Sequence, residues 1–167
     1  MKKIFFFLSC FLIAFSSCKI HYSFSGAPTS PDIKTVSILA FRNNAALAPP
    51  VISQSFTEAL KDIFTSQTNL GIIAKSGDLN FEGEVVNYIT QPVAIQSNDQ
   101  AALNRLTITV SVKFTNTKDE KQNFETTFSR YADYSSSQSL TAVQESLIEE
   151  VNKQLVQDIF NKAMVNW

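Results

Sequence analysis

Histidine is almost missing from this chain. His21 is the only one in 167 residues, and it lies near the N-terminus, outside every stretch with core periodicity. A serine or cysteine nucleophile therefore has no histidine base on the body of the domain. Cysteine occurs twice, at positions 10 and 18, and glycine only four times. That leaves no Cys/His cage for zinc, no acidic loop with calcium spacing and no glycine-rich phosphate cradle. Glu82 and Glu84 share one strand face, and Glu145, Glu149 and Glu150 share a helix surface. Solvation explains both groups better than paired acid–base work. No catalytic residue, metal or cofactor is expected. An enzyme or a small-ligand carrier would need a deep pocket with convergent polar groups. Positive charge is not in excess either: 14 Lys and Arg stand against 15 Asp and Glu, so no basic field is present to hold nucleic acid.

One long apolar run is present, at the N-terminus. Lys2 and Lys3 precede an almost wholly apolar stretch from Ile4 to Phe15. About a dozen residues is the length of a secretion signal core and too short for a permanent membrane span. The run ends Phe15-Ser16-Ser17-Cys18, two small residues before a cysteine, as in the lipobox of lipoprotein signal peptides, with Phe15 where leucine is usual. We expect residues 1–17 to be a cleaved signal peptide and Cys18 to become the acylated N-terminus, firmly anchored because several acyl chains act together. Cleavage removes Cys10, so no internal disulfide can form. It also removes Lys2 and Lys3 but no acid, leaving a net charge of about −3. Lys19 follows the cysteine in place of the aspartate associated with inner-membrane retention, so the expected location is the outer membrane, on its periplasmic side or in a barrel lumen.

Residues 18–32 contain Gly26, Pro28 and Pro31 and read as a tether. Residues 33–167 form one domain. KTVSILAF at 34–41 reads as a buried strand and residues 42–50 as a loop. After Pro49-Pro50, Ile52, Phe56, Leu60 and Ile63 fall at helical spacing to about Gln67. Phe81 to Ile89 alternates as a second strand, and residues 92–102 read as a polar connector. Leu106, Ile108, Val110, Val112 and Phe114 alternate without error against Arg105, Thr107, Thr109, Ser111 and Lys113, a strand with one buried and one polar face. A turn and a partner strand at 124–134 follow. Thr141 with Gln144 suggests a capping box for a last helix, with Val143, Leu147, Val151, Leu155 and Ile159 on one stripe to near Trp167. The expected fold is α+β: a two-layer sandwich of order β-α-β-β-β-α, a four-stranded mixed sheet packed by two helices, with the other sheet face open to a partner.

Arg105 and Lys113 share the polar face of the third strand, Lys118 and Lys121 lie at the following turn, and Arg130 is on the next strand. These five cations are candidate contacts for a partner or for glycolipid phosphates; the competing reading is cross-strand pairing with glutamates.

Several stretches resemble the LptE family of lipoproteins: His21-Tyr22-Ser23-Phe24-Ser25-Gly26, KTVSILAF with Asn43-Asn44, the run from Ser53 to Leu60, the run from Asn104 to Val110, and Phe128-Ser129-Arg130-Tyr131-Ala132-Asp133-Tyr134. They occur in order over nearly the whole mature chain. The resemblance implies a non-catalytic accessory subunit of the lipopolysaccharide translocon, sitting as a plug in the LptD β-barrel, aiding its assembly, and binding lipopolysaccharide. The basic residues that contact lipopolysaccharide in enterobacterial members do not transfer onto positions here. A lipoprotein of similar topology, related to the TolB N-terminal domain or to CsgG, is the alternative, since TVSILAF followed by Arg42-Asn43 and a helix suits it too.

Overall fold

The computed structural model describes residues 32–95 and 101–164. Residues 1–31, which hold the expected signal peptide, Cys18, His21 and all but the last residue of the expected tether, lie outside the described residues. Strand β1 (Thr35–Ile38) carries Val36 and Ile38 into the core. Strict alternation would next bury Ala40 and expose Phe41. Instead the backbone breaks at residues 39–41 and resumes as β2 (Arg42–Asn43). The break turns Phe41 inward, 4% exposed, where its N–H donates to Thr57 Oγ1 at 3.0 Å. The expected strand at 34–41 is therefore cut to β1, and β2 arises in the segment expected as a loop, both parallel to the same long neighbour.

Helix α1 (Ile52–Gln67) buries Ile52, Phe56, Leu60, Ile63 and Phe64, the stripe its spacing predicts. Thr68 closes it, with its N–H and its hydroxyl both donating to the Phe64 carbonyl. Strand β3 (Gly71–Ile73) follows, a three-residue edge strand parallel to β1; it is too short for periodicity to register. Strands β4 (Leu79–Ile95) and β5 (Ala101–Asn116) form a long antiparallel hairpin. The expected polar connector is part of this ladder, with Pro92 opposite Asn104 and Ile95 opposite Ala101. Gln91, Pro92 and Val93 are exposed, so this arm extends beyond the helices, and a strand wetted on both faces shows no alternation. A 3₁₀ turn (Glu120–Gln122) leads to β6 (Phe124–Ser135), antiparallel to β5. Helix α2 (Leu140–Met164) ends the described chain. Because Leu140 is already helical, Thr141 sits in the first turn and not at the cap expected of it.

The sheet has six strands, in the order β3-β1-β4-β5-β6 with β2 beside β4. The two strands beyond the expected four are the short β2 and β3; the α+β class and mixed sheet are as expected. Helices α1 and α2 pack on each other, α1 also on β1–β4 and α2 on β5 and β6. Phe160, Phe64, Phe81, Phe114 and Phe124 run through this layer with successive ring centroids 4.8 to 5.1 Å apart. A Cβ on Gly83 would sit 2.7 Å from the Phe41 ring and closer still to the Ser111 carbonyl oxygen, so only glycine allows this approach.

The outer edge of β4 is covered only as far as Val85. Phe81 and Val85 direct their carbonyls to that edge, accepting from Leu39 and Asn44 N–H. A bulge between Val85 and Asn87 reverses the parity, so Tyr88, Thr90 and Pro92 face the uncovered part. Pro92 has no N–H to offer there, which blunts the edge against strand pairing.

Candidate functional site

Among the described residues no helix covers the second face of the sheet. Strand geometry delivers alternate residues to it, and the register aligns them in rows across β4, β5 and β6. Glu82, Lys113 and Glu125 form one row and Glu84, Ser111 and Thr127 the next; Asn87, Thr109 and Ser129 lie in the middle. Beyond them stand Ile89, Thr107 and Tyr131, then Gln91, Arg105 and Asp133.

Most charge on this face is paired; Glu125, beside the Glu82–Lys113 pair, makes no ion pair. Arg105 grips Asp133 with a two-pronged contact, Nε–Oδ1 2.7 Å and Nη2–Oδ2 2.9 Å. Its guanidinium also lies 3.6 Å from the centroid of the Tyr131 ring. The hydrogen bond from Arg105 holds the Asp133 carboxyl below its usual range, and Asp133 in turn raises Arg105. Lys113 meets Glu82 at 2.7 Å and is raised by that contact. Glu84 accepts from Asn44 at 2.6 Å and pairs with Arg42 at 3.2 Å. Glu82 and Glu84, expected to form a solvated face, each meet a cation there. Between the charged ends the surface is neutral: Thr109 and Ser129 hydroxyls share a hydrogen bond of 3.0 Å. A shallow depression of about 470 Å³ lies at the Glu82–Lys113 end, open to solvent and floored by Gly83 and Ser111.

The five candidate cations are not one cluster. Arg105 and Lys113 share the open face but stand eight residues apart along β5, roughly 27 Å. Arg130 projects from the opposite, helix-bearing face and holds Asp158 of α2, Nη2–Oδ1 2.8 Å. Lys118 binds Asp78 at 3.1 Å. The same carboxylate accepts from Lys34 N–H at 2.9 Å and from Thr35 N–H and hydroxyl at 3.0 Å. These donors, Lys34 N–H foremost and then Lys118 and Thr35, hold Asp78 far below the usual carboxylate range. Lys118 thus tacks the β5–β6 turn to the start of β1. Lys121 is exposed in the 3₁₀ turn, where its N–H caps onto Asp119.

Tyr131, Asp133 and Ser129 are surface residues that the sequence reading did not single out. They lie at odd positions, alternate with the buried Ala132 and Tyr134, and could have been found by extending β5's alternation to β6. The same end of the sheet carries the exposed apolar side chains Ile89, Val93 and Leu103. Among the described residues no three His, Cys, Asp or Glu gather as metal ligands, and no helix is long and apolar enough to cross a membrane.

The fold is a small α+β sandwich whose second sheet face, uncovered among the described residues, is polar and carries three ion pairs. The sequence profile of the lipopolysaccharide-assembly family LptE matches residues 33–163, so the chain belongs to that family. The fold is shared with a minor lipoprotein from Acinetobacter baumannii (TM-score 0.52, 16% identity, 80% of this chain and 94% of that one). It is shared too with a hypothetical protein from Chlamydia trachomatis (TM-score 0.55, 11% identity, 80% and 99%) and a protein from Xanthomonas campestris (TM-score 0.53, 12% identity, 84% and 92%). No curated protein matches the chain.

Proposed function

We propose that this protein is an outer-membrane lipoprotein, acylated at Cys18, that serves as a non-catalytic subunit of lipopolysaccharide assembly by seating its open sheet face in a large LptD-like β-barrel. The observation that carries this reading is the family match over residues 33–163, joined to an open face on which Arg105 and Lys113 are each held by a carboxylate. The lumen of such a barrel is polar. The Thr, Ser and Asn rows and the paired ions can enter it at little electrostatic cost, which leaves Glu125 at the end of the face as the one carboxylate that needs a donor from the partner. In this reading the protein aids barrel assembly and delivery of lipopolysaccharide to the outer leaflet. Glycolipid phosphates reach Arg105 and Lys113, with Lys118, Lys121 and Arg130 as further candidates around the rim.

The test is affinity purification of the native protein from envelopes, together with its depletion. The expected result is co-purification of one large β-barrel, and loss of surface lipopolysaccharide on depletion. Recovery of the protein without any barrel overturns the reading. A photo-reactive residue at position 105 separates the two contacts, crosslinking to barrel, to glycolipid or to both.

A further inference from the structure

On the other side of the molecule, away from the open face, a groove runs between α1 and α2. Near the start of the helices Val51, Ser55 and Ile148 line a stretch of about 550 Å³. Toward their ends Ser55, Ile63, Asn152 and Val156 line a stretch of about 390 Å³. Asn152 is 2% exposed, and its Nδ2 donates to Ser55 Oγ at 3.1 Å. Its Oδ1 is buried with no partner among the described residues. The rim is acidic: Asp62, Glu145 and Glu149 stand against a single cation, Lys153.

The chain itself supplies a complementary segment. Residues 19–31 read KIHYSFSGAPTSP, with basic Lys19 and His21, apolar Ile20, Tyr22 and Phe24, and no acid. This segment joins the domain beside the open end of the groove. Gln67, the last residue of α1, lines the groove, and four residues later the Gly71 N–H donates to the Lys34 carbonyl at 2.9 Å. From Gln67 back to Val51 the groove is roughly 24 Å long at the helical rise. Thirteen extended residues reach about 43 Å, which covers the groove and the turn from Asp32 into it.

We propose that residues 19–31 bind along the α1–α2 groove of their own chain. Tyr22 and Phe24 pack toward Ile148 and Val156, and Lys19 and His21 lie against Glu145 and Glu149. The acylated Cys18 then emerges beside Val51 and Leu47, which are 57% and 80% exposed, at the end of the sandwich opposite the one where the chain comes in. Only this last consequence rests on the anchor reading. The binding itself needs neither lipid nor barrel, so its failure leaves the barrel partnership untouched.

The experiment uses the mature full-length chain with Cys18→Ser and Ser25→Cys, a nitroxide on the new thiol, and NMR relaxation of backbone amides. The expected result is selective loss of peak intensity at Ala59, Ser66, Asn152 and Gln157. That loss should be relieved by Asp62→Lys with Glu149→Lys, two exposed changes that leave the fold intact by circular dichroism, and weakened by salt. Undiminished peaks along the groove, or broadening centred on Thr107 and Thr109, overturn the proposal. So does broadening that arises only between spin-labelled and isotope-labelled chains in a mixture, which assigns the groove to a second copy.

Discussion

Phe64 is the side chain on which the two layers depend most. It is 0% exposed, sits on α1, and touches Phe81 of the sheet and Phe160 of α2 at centroid distances of 5.0 and 5.1 Å. Replacing it with alanine removes a buried ring at a point where three rigid elements meet and cannot readily collapse. Burial loss and the residual cavity together cost about 3–5 kcal/mol. For a domain of this size that lowers the midpoint of thermal unfolding by roughly 10–20 °C. Phe64→Leu keeps most of the volume and should cost less than about 1.5 kcal/mol. Urea unfolding followed by far-ultraviolet circular dichroism measures both. If Phe64→Ala loses less than about 1 kcal/mol with an unchanged denaturant slope, the aromatic line from Phe160 to Phe124 is incidental to holding helices on sheet, and the account of the core is wrong.

Other consequences are sharper in direction than in size. Gly83→Ala places a Cβ against the Ser111 carbonyl and the Phe41 ring and should destabilise by about 1–3 kcal/mol, read as a lower urea midpoint. Asp78 has a depressed carboxyl pKa in the folded state, so its ionic contribution is present above the unfolded value of about 4 and lost as pH falls toward the folded value. The melting temperature of Asp78→Asn should therefore lie below wild type at neutral pH, with the gap closing below about pH 4. A gap that is constant with pH assigns the effect to packing. Pro92→Thr restores an N–H on the uncovered edge of β4, and light scattering should show greater self-association with the melting temperature little changed.

Much of this fold was legible because burial leaves a period. Along β5 every inward residue from Leu106 to Phe114 is apolar and no more than 1% exposed, and α1 shows the same clarity at helical spacing. What escaped had no period to leave. β3 is three exposed residues whose pairing depends on β1. The arm of β4 around Pro92 is wet on both sides. The break at residues 39–41 is imposed by the Thr57 hydroxyl sixteen residues away. The candidate site follows the same rule. Alternation placed Arg105 and Lys113 on one face, and carried on to β6 it puts Arg130 with Phe124, Phe128, Ala132 and Tyr134 on the other; the polar Thr126 and Arg130 in that inward set are what hid it. Nor could sequence show that Asp133, Glu82, Asp78 and Asp158 engage four of the five cations.

That pairing bears on how the open face works. A phosphate that approaches Arg105 must take the guanidinium from Asp133, a carboxylate held in both prongs and left behind as a like charge. Binding there is exchange, in which a new anion gains little over the old one unless Asp133 swings away or finds another donor. The middle rows carry no such cost. Asn87, Thr109 and Ser129, with Ser111 and Thr127 beside them, lose only water when another polar surface covers them, and hydroxyls can turn to donate or accept as the partner requires. The physical case for macromolecular contact is therefore strongest at the neutral centre of the sheet, with the ion pairs at either end fixing register. On the proposed reading, a glycolipid phosphate would reach Arg105 only after a partner has drawn Asp133 aside.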